Sequence, residues 1–193
     1  MIADFIRHWK QKLFSAVRLN GIFAVHLLLV ATVAFGWLPR AVVPYWTLLL
    51  VIYFASAPLE ESVLFFARSI PFFIAIPITA EFDSLNMWRV LSVVIFLRWL
   101  SVEKIKNLLR PNSLLAYSLW LIVILAALSL FTAPSFTLAL RRLAYFVNLS
   151  LIGIVLHDLV VRNAVFAKRV VRNLTIPTVI VTMIGFFQLA TTY

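Results

Sequence analysis

The sequence contains no cysteine, which excludes disulfides, thiolate metal sites and a cysteine nucleophile. Glycine is scarce, four in 193 residues, and none of the four builds a P-loop, a G-x-G-x-x-G turn, a G-x-S-x-G elbow or a G-x-x-x-G helix contact. The glycine-framed phosphate cradles of soluble nucleotide enzymes are therefore missing. Charge is also thin, at 12% of residues with only seven acids, against about 25% in a soluble domain. The three histidines, His8, His26 and His157, are scattered along the chain, and no H-E-x-x-H or similar ligand spacing occurs. His157 precedes Asp158, yet neighbours on a helix point about 100° apart, so one does not readily orient the other. The chain holds no self-contained catalytic constellation.

Apolar sequence fills the space these absences leave. Hydrophobic residues make up 64% of the chain, and the mean hydropathy is +1.04. A soluble core of this size cannot hide so much apolar surface, so the sequence predicts an all-α, polytopic transmembrane helix bundle. The net charge of +10 then reads as cytoplasmic loops facing anionic lipid headgroups. Nucleic acid is not expected as a partner, because no basic stripe alternates with a soluble aromatic platform.

Residues 1–19 place Ile2, Phe5, Ile6, Trp9, Leu13 and Val17 at helical spacing, with Arg7, Lys10, Lys12 and Arg18 on other positions. That pattern predicts a basic amphipathic helix in the headgroup layer. The remaining 20–193 reads as one transmembrane domain with about seven spans, near 20–38, 42–59, 62–80, 87–102, 114–132, 138–158 and 174–192. The fourth is short and carries Arg98, so a count of six is the alternative. Pro71 and Pro77 lie inside the third span and predict a kinked or locally unwound helix, whose freed carbonyls need partners within the bundle.

Charge orients this arrangement. With the N-terminus in the cytoplasm, eleven of the seventeen basic residues, including every lysine, fall on cytoplasmic segments. External segments hold Arg40, Arg89, Arg141 and Arg142, while Arg68 and Arg98 lie within spans. This is the distribution the positive-inside rule favours. It also makes the external Arg141–Arg142 pair a departure that needs a reason.

Arg141, Tyr145 and Asn148 sit at i, i+4 and i+7, on one helix face. Such a polar stripe is expected to point into the bundle. An arginine at its outer end suits a phosphate or pyrophosphate, which the planar guanidinium grips bidentately. The plainer reading is that both arginines snorkel to the outer headgroups. Arg89 with Glu81 and Asp83 forms a second external polar group, or the acids simply solvate their loop. Arg68 is expected to snorkel or to pair with Glu60 or Glu61, and Arg98 to neighbour Glu103.

The order of features carries a resemblance. A proline-broken span (RSIPFFIAIPIT), a polar external loop, a basic loop and an apolar hairpin lead into LRRLAYFVNLSLIGIVLHDLVVRN, then AKRVVRNL and a span ending GFFQL. Residues 60–193 resemble the N-terminal half of the O-antigen ligase and polymerase family of bacterial membrane glycosyltransferases. The resemblance implies an inner-membrane protein that takes a glycan from an undecaprenyl-pyrophosphate carrier at the outer face. The glycan passes to lipid A–core or to a growing polysaccharide, with no nucleotide sugar, cofactor or essential metal. It implies that arginines hold the departing pyrophosphate while an acceptor hydroxyl attacks, and only Arg141 and Arg142 are carried over to that role. Family members continue into further spans and a large external loop with arginines and a histidine that have no counterpart here. The chain is thus expected to be truncated and inactive without its C-terminal half or a membrane partner. A transporter or flippase-like subunit and a non-catalytic membrane scaffold are the competing readings.

Overall fold

A computed structural model describes residues 2–77, 86–102 and 114–192, with side chains for 17–77, 86–101 and 117–191. The described chain is all-helical. Its α-helices are α1 (Ile2–Ala34), α2 (Val42–Ser56), α3 (Leu59–Ser69), α4 (Met87–Val102), α5 (Leu114–Leu128), α6 (Phe136–Arg162) and α7 (Ala164–Thr192). Short 3-10 turns at Ile70–Phe72 and Ser129–Thr132 extend α3 and α5. Three stretches, Val17–Ala34, Phe136–Arg162 and Ala164–Thr191, are long and apolar enough to cross a membrane, whereas α2 and Tyr117–Thr132 are shorter apolar helices.

The burial pattern is that of a membrane bundle. Leu48, Leu49 and Ile52 of α2, Leu121 and Leu125 of α5, and Phe186 and Phe187 of α7 are exposed. Glu61, Arg68, Ser92 and Asn173 are buried. A water-soluble protein sorts these residue types the other way, and an apolar exterior around a polar seam is what a lipid solvent selects. In α2 the buried residues are Val43, Thr47, Leu50 and Phe54, one helical face, so even its threonine turns inward.

Three boundaries differ from the sequence expectation or refine it. The amphipathic helix expected over 1–19 is not a separate element; α1 runs unbroken from Ile2 to Ala34, because nothing near residue 19 interrupts helical hydrogen bonding. It ends at Gly36, whose φ of +74° lets Trp37 N–H reach Thr32 O at 2.9 Å and Gly36 N–H reach Val33 O at 3.1 Å. These two bonds are the Schellman closure, which favours glycine at this position. The third expected span, 62–80, is not one helix. α3 stops at Ser69, a 3-10 turn carries Pro71, and Phe73 onward is extended. Pro71 lacks the N–H that would continue the helix and clashes with the preceding turn. The extended segment is tied to the start of α4: Met87 N–H donates to Ile74 O at 3.2 Å, and Ala75 bridges Asn86 antiparallel.

α3 is the centre of the bundle. Every residue from Glu61 to Ser69 is buried, enclosed by α1, α2, α4 and α7. Phe65 meets Phe23, Tyr53 and Phe54 edge-on at 5.7–6.4 Å, the geometry ring quadrupoles prefer. α6 packs on both α4 and α5. Asn163 separates α6 from α7 and caps the latter, its Oδ1 accepting from Val165 and Phe166 N–H at 3.1 Å each; this is an N-cap.

An open cleft and two polar seams

Polar residues collect in three places. The first is a seam at one end of the bundle, where α3 begins. Arg18 grips Glu61 through Nε at 2.8 Å and Nη2 at 2.6 Å, and Tyr53 O–H donates to the same carboxylate at 2.6 Å. Glu61 is 3% exposed, and three donors meet its carboxylate, as a buried acid requires. Glu60 accepts from Arg169 Nη1 and Asn163 Nδ2, each at 3.3 Å. Asp158 accepts from Trp99 Nε1 at 2.8 Å and Arg162 Nε at 2.9 Å, so its partners lie on other turns and helices and not on the adjacent His157. Arg98 donates to Phe54 O and Ala57 O, closing the carbonyl end of α2 as a cation should. Glu103, its expected neighbour, lies outside the described residues.

The second place is deeper. Arg68 neither snorkels nor meets Glu60 or Glu61. Its Nη1 donates to Asn20 Oδ1 at 2.6 Å, and its Nε at 2.9 Å and Nη2 share Asn173 Oδ1. The guanidinium lies 5.1 Å from the Phe23 ring centre. One cation thus ties α1, α3 and α7, and amides serve it because Arg18 and Arg169 already hold the two glutamates. Neither asparagine carried a sequence signal beyond being an amide in an apolar run. These two seams are structural.

The third place is the opposite end of α4 and α6, and it holds the residues flagged for function. α4 and α6 run parallel here, since Trp88 meets Tyr145, Ser92 meets Asn148 and Trp99 meets Asp158. A cleft of about 680 Å³ opens where α5 turns into α6, lined by Leu125, Ser129, Thr132, Ser135, Arg142 and Phe146 among others. The first helical hydrogen bond of α6 is Ala139 N–H to Ser135 O at 3.0 Å, which leaves the N–H groups of residues 136–138 without helical acceptors. Ser135 occupies the cap position and makes no capping bond. The helix macrodipole adds partial positive charge at this terminus, and Arg142 stands on the next turn. The cleft is therefore a cationic mouth with hydroxyls and leucine walls.

Of the sequence-predicted residues, Arg142 lines the cleft and Arg141 does not, because consecutive positions diverge by about 100°. The expected stripe of Arg141, Tyr145 and Asn148 turns inward only at its lower end. Asn148 Oδ1 accepts from Ser92 Oγ at 2.9 Å, while Tyr145 is 46% exposed and Arg141 is exposed. Arg89 does join this group: its guanidinium lies 5.7 Å from the Trp88 ring centre, and Trp88 meets Tyr145 edge-on at 5.2 Å. Glu81 and Asp83 lie outside the described residues. Trp88, the residue that joins Arg89 to Tyr145, was not singled out in the sequence, although it directly precedes Arg89. The chain matches no protein-family model, no curated protein and no solved structure.

Proposed function

We propose that the cleft holds the pyrophosphate of a polyprenyl-linked glycan, and that the chain is the donor-holding part of an O-antigen ligase- or polymerase-like glycosyltransferase of the bacterial inner membrane. The observation that carries this reading is the convergence on one open cleft of Arg142, the uncapped N-terminus of α6 and the hydroxyl residues Ser129, Thr132 and Ser135. Helix N-termini and arginine forks are the two commonest protein devices for phosphate oxygens. Leu125 and Phe146 give the same cleft an apolar wall for a lipid tail.

The proposed topology places about seven membrane passes, a cytoplasmic N-terminus and the cleft at the outer face. Supporting this, Arg18, Arg98, Arg162 and Arg169 gather at the far end of α6 from the cleft. The 27 residues of α6 separate the two ends by about 40 Å, close to a full bilayer. In the transfer reaction the arginine and helix terminus stabilise the departing pyrophosphate as charge accumulates on it. The attacking hydroxyl belongs to the acceptor glycan.

The test is retention of polyprenyl pyrophosphate by the full chain in lipid nanodiscs. Arg142→Gln is expected to lower retention about tenfold, the scale of one charge-assisted fork, and inorganic pyrophosphate is expected to compete. Equal retention by the variant overturns the reading. A second reading, a transporter or flippase-like subunit, draws on the break after α3, since unwound helices frame midplane sites. Carrier-dependent uptake into vesicles, insensitive to Arg142→Gln, would favour it.

A further inference from the structure

A run of aromatic contacts leads away from the cleft wall at Phe146. Phe146 lines the cleft and meets Tyr145 edge-on at 6.1 Å. Tyr145 meets Trp88 at 5.2 Å, and Trp88 lies under the guanidinium of Arg89 at 5.7 Å. Three rings therefore form a continuous ridge with Arg142 at one end and Arg89 at the other. Arg89 Nε is buried and makes no hydrogen bond among the described residues, and the Trp88 indole lies against this guanidinium.

The ridge is fixed from below. Asn86 Oδ1 accepts from Trp88 N–H at 3.3 Å, the Ala75–Asn86 bridge anchors the start of α4 to the broken segment, and Ser92 bonds Asn148 across to α6. A Trp or Tyr that only anchors a helix at the membrane interface needs none of this scaffolding, because its partner is the headgroup layer. Here two of the rings are braced against each other across two helices, beside the Arg89 guanidinium.

We infer that the Trp88–Tyr145 ridge with Arg89 is a saccharide platform that receives the sugar next to the pyrophosphate held at Arg142. Faces and edges of aromatic rings suit the C–H faces of a pyranose, and the Arg89 N–H groups and the Tyr145 hydroxyl suit its oxygens. The inference rests on the cleft holding the pyrophosphate, because the ridge starts at the cleft wall. It adds a selection step: the protein distinguishes a loaded carrier from an empty one, and an empty carrier leaves more readily after transfer.

The experiment compares two probes on the full chain in nanodiscs, polyprenyl pyrophosphate bare and bearing one N-acetylhexosamine. The wild-type protein is expected to bind the loaded probe about tenfold more tightly. Trp88→Leu and Tyr145→Leu are each expected to bring that ratio close to one, and Tyr145→Phe, which keeps the ring, to preserve most of it. Tight binding of both probes by the wild-type protein with a ratio near one overturns the platform and leaves the pyrophosphate site standing. A ratio that survives Trp88→Leu and Tyr145→Leu also overturns it. Failure of the wild-type protein to bind either probe overturns the pyrophosphate reading itself, and the platform with it.

Discussion

Arg68 offers a sharp test of how this bundle is held together, because two opposite intuitions apply to it. It is 7% exposed, and among the described residues its donors reach the amide oxygens of Asn20 and Asn173 alone. Replacing Asn173 with Leu removes the oxygen that accepts from both Nε and Nη2 and leaves a buried cation nearly bare. Two charge-assisted bonds at about 1.5–3 kcal/mol each put that loss at about 3–6 kcal/mol, near the usual scale for orphaning a buried charge. Arg68→Met instead removes the charge, keeps an apolar stem against Phe23, and takes the donor from two neutral amide oxygens, of which only that of Asn173 is buried. That residual penalty is about 1–3 kcal/mol, offset by the desolvation no longer suffered by the guanidinium. The expected order is therefore Asn173→Leu well below Arg68→Met in stability. Adding Arg68→Met to Asn173→Leu should raise stability, since the orphaned charge disappears. Unfolding by SDS titration in mixed micelles, followed by tryptophan fluorescence, measures all three variants and the coupling between them. If Arg68→Met is the more damaging single change, or the two losses simply add, the argument from a lone desolvated cation is wrong.

Arg98 closes the carbonyl end of α2 at Phe54 and Ala57, so Arg98→Gln should cost about 2 kcal/mol in thermal unfolding, with Arg98→Lys recovering part of it. Gly153 packs against Leu119, where an added Cβ would meet Cδ1 at 3.2 Å. That atom is the end of a flexible side chain, and losing a mid-helix glycine gains about 0.5–1 kcal/mol, so Gly153→Ala should lie within about 1 kcal/mol of wild type. Gly153→Leu should instead separate α5 from α6 and lower the midpoint of the same melt markedly.

The helical architecture was legible because apolar runs report their own burial in lipid, and the break in the third span because proline acts locally. Pro71 needed no tertiary information to end α3. The polar contacts were not legible, since they join residues far apart in sequence: Arg18 to Glu61 across 43 positions and Arg68 to Asn173 across 105. Spacing pairs a buried arginine with the nearest acid, as in the expectation of Glu60 or Glu61 for Arg68. In the folded chain α1 and α7 bring Arg18 and Arg169 to the two glutamates, and Arg68 meets amides instead. Helical periodicity grouped Arg141 with Tyr145 and Asn148, but α6 has several faces and only its packing on α4 and α5 decides which is used. Tyr145 and Asn148 meet α4, Arg142 meets the cleft beside α5, and the adjacent Arg141 is outside the cleft lining.

The most direct test of the central claim is a crosslinking map. A polyprenyl pyrophosphate with a photoreactive group beside its phosphates would be crosslinked to the full chain in a bilayer and the labelled peptides located by mass spectrometry. The cysteine-free sequence keeps thiol side reactions out of that assignment. Labels should fall between residues 125 and 146, compete with unlabelled carrier and fade in Arg142→Gln. Competed labels concentrated on residues 70–77 instead, or unaltered by Arg142→Gln, would contradict the assignment of the cleft as the carrier site.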